Sequence, residues 1–145
     1  MHTIRQLLDT KGHDIWSVAP EAPAFEALQI MSEKDVGALP VINDEGELAG
    51  IFSERDYARK VILKGKSSKE TTVGELMTDV VFTIKPEDTI QDSMELMTKE
   101  RVRHLPVISN ERLIGIVTIG DVVNHIISSQ GLTIEQLQRY ISEGY

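Results

Sequence analysis

Two short stretches hold the residue types that could do chemistry. Ser53-Glu54-Arg55-Asp56 and Thr118-Ile119-Gly120-Asp121 each place a carboxylate three positions after a hydroxyl, directly behind the β-branched runs that begin at Ile51 and Ile116. A Ser/Thr-x-x-Asp at a strand-to-helix junction has two readings. As a capping box, hydroxyl and carboxylate satisfy the free amides of the helix start and do nothing more. As a binding site, the helix start draws a phosphate to its amides and positive dipole end, with Ser53 or Thr118 donating to a phosphate oxygen. The carboxylate of Asp56 or Asp121 would repel phosphate, yet it can accept two hydrogen bonds from a vicinal diol, which ribose supplies. Bonds to a charged group contribute about 1.5–3 kcal/mol each, enough to separate a ribonucleotide from its deoxy analogue.

A base asks for a flat apolar slot with backbone groups at its rim. The candidates are Ala38, Leu39 and Pro40 in one Leu-Pro-Val strand, Leu105 and Pro106 in the other, Val18 after Ser17, and Ile84 after Thr83. Each of these apolar residues also reads as plain core packing. Phosphates ask for cations, and here the two stretches differ. Arg101, Arg103 and His104 precede the second Leu-Pro-Val, where Asp35, Gly37 and Ala38 precede the first; Arg55 lies inside the first motif, opposite Gly120. Taken singly, the arginines read as solvated surface residues and His104 as a structural side chain.

Little else in the chain suggests catalysis. His2, His13, His104 and His125 are scattered, and no nucleophile elbow or metal-ligand cluster appears. Without a GxGxxG, a bound NAD would be a ligand and not a redox cofactor. Gly65-Lys66-Ser67 imitates the end of a Walker A loop, but the required earlier glycine is Lys60. The 145 residues are 41% hydrophobic and 26% charged, as in an ordinary globular protein. No run is long enough to cross a bilayer and the N-terminus lacks a signal core, so a cytoplasmic protein without membrane association is expected. With no cysteine, disulfides and thiolate chemistry are excluded, and the net charge of −8 opposes nucleic-acid binding.

The elements that must position these residues come as an internal repeat. At a constant offset Pro20-Glu21 falls on Pro86-Glu87, Met31 on Met97, Val36 on Val102 and Leu39-Pro40-Val41-Ile42 on Leu105-Pro106-Val107-Ile108. Past one deletion opposite Gly46, Gly50-Ile51 falls on Gly115-Ile116 and Asp56 on Asp121. Each copy reads β-α-β-β-α. A short extended piece (Ile15 to Val18; Val80 to Ile84) leads to a helical period (Ala24, Ala27, Leu28, Met31; Ile90, Met94, Met97) with Glu21 or Glu87-Asp88 at its positive end. Two strands follow, joined by hairpin turns. A second helix then carries Tyr57, Ala58, Val61 and Ile62, or Val122, Val123, Ile126 and Ile127, on one face.

The expected class is α/β, more strictly α+β. A three-stranded sheet with two helices is too small to close a core alone, so the two copies should pack sheet to sheet about a pseudo-twofold axis and leave two related clefts. The expected divisions are an N-terminal helix or extension (1–14), repeat 1 (15–63), a polar surface linker (64–75), repeat 2 (76–128) and a C-terminal helix (129–145). Thr3 can cap the first helix, with Gly12 near its end, and Thr133 with Gln136 forms a box ahead of Ile134, Leu137 and Ile141. These end helices either cover edges of their own chain or make a dimer contact.

Residues 15–127, with their paired Leu-Pro-Val and Gly-Ile-x-[Ser/Thr]-x-x-Asp stretches behind methionine-bearing helices, resemble the tandem CBS domain pair, or Bateman module, in a stand-alone, bacterial-type form. The resemblance implies a regulatory module without catalysis that binds AMP, ADP, ATP, NAD(H) or S-adenosylmethionine in the clefts between repeats. It implies that Asp56 and Asp121 hold the ribose diol, Ser53 and Thr118 help hold phosphate, Ser17 and Thr83 lie near the nucleoside, and Arg103 and His104 reach phosphates. Gly37-Ala38 departs from the basic pattern, which puts the first copy's share of phosphate in doubt. A homodimer and a separate regulated protein partner are implied as well. Two other classes stay open: a structural dimerisation scaffold, for which the aspartates are caps alone, and a small nucleotide-acting hydrolase or transferase.

Overall fold

A computed structural model of the chain describes residues 2–79 and 81–130. Its elements run α1 (Ile4–Lys11), α2 (Ala24–Lys34), β1 (Ala38–Ile42), β2 (Leu48–Ser53), α3 (Glu54–Tyr57) continuing into a π-helical turn (Ala58–Ile62), α4 (Val73–Leu76), α5 (Ile90–Glu100), β3 (His104–Ser109), β4 (Arg112–Thr118) and α6 (Ile119–Gln130). The described residues gather into two compact units: 16–79 with 81 form one, and 2–15 join 82–130 in the other. The class is α+β, with β1-β2 and β3-β4 as small antiparallel sheets. No helix among the described residues is long and apolar enough to cross a membrane.

In each unit the expected leading strand contracts to one parallel bridge, Val18 to Val41 and Ile84 to Val107. Val18 donates to the Pro40 carbonyl at 3.1 Å and accepts from Ile42 at 2.9 Å; Ile84 repeats this with Pro106 and Ile108 at 3.0 and 2.9 Å. Extending either ladder by one step toward the N-terminus would need an N–H from Pro40 or Pro106, which proline lacks. The bridge therefore stops at one residue.

The methionine helices follow their period, with Ala24, Ala27 and Met31 buried on α2 and Ile90, Ser93 and Met97 on α5. Glu21, Glu87 and Asp88, expected at the positive helix ends, precede the helices instead. The carboxylates in the first turns are Glu26 and Asp92. The expected face of the second helices breaks at its end: Ile62 and Ile127 are exposed, whereas Val61, Val122 and Ile126 are buried.

The linker also departs from its expected surface role. Val73 and Leu76 of α4 are buried in the core that Ala27, Met31, Leu39, Val41 and Phe52 form. The backbone fixes α4 there, with Val73 donating to Ala22 and Gly74 to Pro20, both at 2.8 Å. Helix α1 does the same in the other unit: Ile4, Leu7 and Leu8 enter the core with Leu105, Val107, Val117 and Val122. There Ile4 donates to Asp88 at 2.8 Å and Arg5 to Pro86 at 3.0 Å. Thr3 caps α1 in a full capping box with Gln6, as Thr72 caps α4 with Glu75. Each repeat is thus completed by the helix that precedes the other repeat in the chain, and α1 covers its own chain. The expected C-terminal helix lies outside the described residues.

Two glycines permit these approaches. A Cβ at Gly50 would lie 2.7 Å from the Thr78 carbonyl oxygen, and one at Gly115 would lie 2.8 Å from a Leu8 methyl.

Candidate functional site

Strand β2 ends at Ser53, paired with Ala38, and β4 ends at Thr118, paired with His104. The first amide of each following helix ties back across the hairpin, Glu54 to the Gly37 carbonyl and Ile119 to the Arg103 carbonyl, both at 3.0 Å. This brace brings Arg103 and His104 beside Thr118 and Asp121, and Gly37 and Ala38 beside Ser53 and Asp56. The capping box forms at both places. Asp56 N donates to Ser53 Oγ at 3.2 Å and Ser53 N to Asp56 Oδ2 at 3.0 Å; Asp121 N donates to Thr118 Oγ1 at 3.1 Å and Thr118 N to Asp121 Oδ2 at 2.9 Å. Of the first three amides of each helix, the middle one, of Arg55 or Gly120, has no such partner among the described residues.

The two carboxylates are otherwise held differently. Asp56 is buried, and its second oxygen accepts from Thr78 Oγ1 at 3.1 Å and lies 3.4 Å from Lys60 Nζ, while Ser53 Oγ also donates to Oδ2 at 3.1 Å. Lys60 continues to the Leu76 carbonyl at the end of α4, at 2.9 Å. Asp121 Oδ2 instead takes the ammonium of Lys11, the last residue of α1, which also donates to the Ile116 carbonyl. Among the described residues Asp121 Oδ1 has no hydrogen-bond partner, and Thr118 Oγ1 accepts without donating. Burial first, and then the charge of Lys11, push the His104 imidazole below the ordinary histidine range; Asp121 acts against this and Arg103 adds to it. At neutral pH His104 therefore offers a ring N–H and no charge.

The remaining expected residues divide by exposure. Ser17, Thr83, Arg55 and Arg103 are exposed, whereas Ala38, Leu39, Pro40, Leu105, Pro106, Val18 and Ile84 are buried. Leu39 and Leu105 have no exposed surface and belong to their cores. No role at the site is expected from the sequence for Lys11, Lys60 or Thr78, although all three close on the motif carboxylates. A signal for two of them existed: Thr-Ile-x-Gln-Leu-Leu at Thr3 recurs as Thr-Val-x-Glu-Leu-Met at Thr72, and each copy runs on toward a residue that reaches an aspartate.

The family model described as CBS domain matches residues 5–63 and 73–128. The chain is 38% identical over 152 residues to the mitochondrial CBS domain-containing protein CBSX3 of Arabidopsis thaliana, covering 99% of this chain and 73% of that one. Its structure is similar to that of a CBS-domain protein from Burkholderia ambifaria MC40-6 proposed to act in signal transduction, with 43% identity, a TM-score of 0.84, and 91% and 98% of the two chains covered. It is also similar to CBSX2, solved in complex with AMP, with 29% identity, a TM-score of 0.70, and 88% and 98% covered.

Proposed function

The chain belongs to the CBS-domain family as a tandem regulatory pair, and from that premise we propose that it senses an adenine nucleotide and catalyses nothing. The observation that carries this reading is the state of the Thr118–Asp121 pair, where among the described residues one carboxylate oxygen has no hydrogen-bond partner and the hydroxyl accepts without donating, beside Arg103 and His104. A ribose diol takes both oxygens of Asp121, the open Oδ1 and the Oδ2 that Lys11 holds in the chain as folded. A phosphate takes the Thr118 hydroxyl, the Gly120 amide and the charge of Arg103, with His104 donating as a neutral ring. Thr83 stands near the nucleoside, and the bound AMP of the CBSX2 complex supports an adenine base. The first copy, through Ser17, Ser53, Arg55 and Asp56, is a second and more tightly closed site, because both Asp56 oxygens are already engaged.

AMP, ADP, ATP and NAD(H) all carry the required diol and phosphate, and NAD would bind as a ligand without redox chemistry. Ligands with different phosphate tails would favour different conformations by differential contacts, read out through a homodimer and a separate protein partner. Mass spectrometry of small molecules released on denaturation, followed by thermal shift with AMP, ATP, NAD and NADH, tests the reading. A matching ligand at a hundredfold its dissociation constant adds about 2.7 kcal/mol of stability. A protein that releases no nucleotide and is stabilised by none of the four refutes it, and leaves the two motifs as helix caps.

A further inference from the structure

In the chain as folded, the carboxylate that would take the diol is held by a side chain from outside its own repeat. Lys11 ends α1, where Gly12 at φ 105 turns the backbone away, and its ammonium reaches both Asp121 Oδ2 and the carbonyl of Ile116. Ile116 pairs with Pro106 two residues before Thr118 pairs with His104, so the ammonium lies along the same hairpin end as the proposed phosphate contacts. We propose that Lys11 is a displaceable counterion of Asp121 that turns to the nucleotide's phosphate when the ribose diol arrives, and so makes the site demand a phosphate. The inference rests on the nucleotide reading above and adds to it the residue that sets phosphate dependence.

The chemistry follows from charge matching. A diol is neutral: it can replace the ammonium as Asp121's hydrogen-bond donor, but it cannot serve the ammonium as an anion. A nucleoside entering the site therefore breaks the Lys11–Asp121 pair without compensation, whereas a nucleotide brings the anion that the displaced ammonium needs. Lysine suits this exchange, since its charged head moves on a flexible four-carbon stem while α1 stays packed through Ile4, Leu7 and Leu8. At the other copy the lysine in contact with the carboxylate, Lys60, stands one turn along in the same helical segment as Asp56 and is anchored to Leu76, so the exchange is specific to the Asp121 site.

Equilibrium binding of AMP and adenosine to the full chain, and to Lys11→Met, Lys11→Gln and Lys11→Arg, tests the proposal. Removing the charge should tighten adenosine and weaken AMP, so that the AMP-to-adenosine affinity ratio falls about tenfold or more in Lys11→Met and Lys11→Gln, the effect of one charge-assisted hydrogen bond. Lys11→Arg keeps the charge and should hold the ratio within about threefold of the parent, guarding against a variant that merely misfolds. An unchanged ratio in the two neutral variants with AMP still bound, or the same loss in Lys11→Arg, overturns the role of Lys11 alone. Failure of the parent chain to bind either compound overturns the nucleotide reading and this proposal together.

Discussion

Replacing each motif aspartate in turn should separate the two sites by stability before any ligand is added. Asp56→Ala removes the acceptor for the Ser53 amide and hydroxyl, for Thr78 Oγ1 and for Lys60, in a buried position. Loss of the capping box costs about 1 kcal/mol, loss of the Thr78 bond to a charged group about 1.5, and loss of the partly exposed lysine pair about 0.5, or about 3 kcal/mol together. Asp121→Ala loses one capping box and the Lys11 pair, about 1.5–2 kcal/mol. At this chain length the difference corresponds to a melting temperature lower by roughly 3–6 °C for Asp56→Ala than for Asp121→Ala. Urea denaturation of both single variants gives the free energies directly, and a double-mutant cycle of Asp56→Ala with Thr78→Val should show about 1 kcal/mol of coupling. If Asp121→Ala costs as much as Asp56→Ala, or if that cycle shows no coupling, the account of how Asp56 is closed is wrong.

Gly50→Ala should destabilise by about 1–3 kcal/mol and more than Gly115→Ala, because the new Cβ at position 50 meets the backbone oxygen of Thr78 whereas that at position 115 meets a rotatable leucine side chain; denaturation midpoints of the pair decide it. Acidification should weaken the fold. His104 and His125 both have imidazoles held below the ordinary value of 6.5, chiefly by burial, so from that value down to their folded values the unfolded chain binds more protons and stability falls as pH falls. A plot of unfolding free energy from pH 7.5 to 5 should slope accordingly, and His104→Gln should flatten it; an identical slope would remove His104 from the account.

Much of this was legible in the residues because the signals are local or repeated. The duplicated Leu-Pro-Val strands, the hairpins between them and the Ser/Thr-x-x-Asp caps all depend on contacts within a few residues, and the helical spacing of Ala24, Ala27 and Met31 names the buried helix face. Tertiary choices were hidden. An amphipathic turn such as Ile4, Leu7 and Leu8 announces that it will be buried, yet nothing in its spacing says against which repeat. For the same reason the polar run before Val73 concealed a core helix. Lys11 and Thr78 gained their roles only through that placement, and Pro40 and Pro106 shortened the leading strands by an amide that periodicity does not count.

The exchange of α1 and α4 between repeats also sets an order in time. Residues 16–81 contain everything their unit packs, so that unit can close while the chain is still being made. Helix α1 leaves the ribosome before it but must wait for β3, β4 and α6, most of the chain later. At about 5–20 residues per second that delay is roughly 5–20 seconds, during which Ile4, Leu7 and Leu8 lack the surface they will cover. Helix α1, made before either repeat, thus settles only after both, and only then can Lys11 reach Asp121.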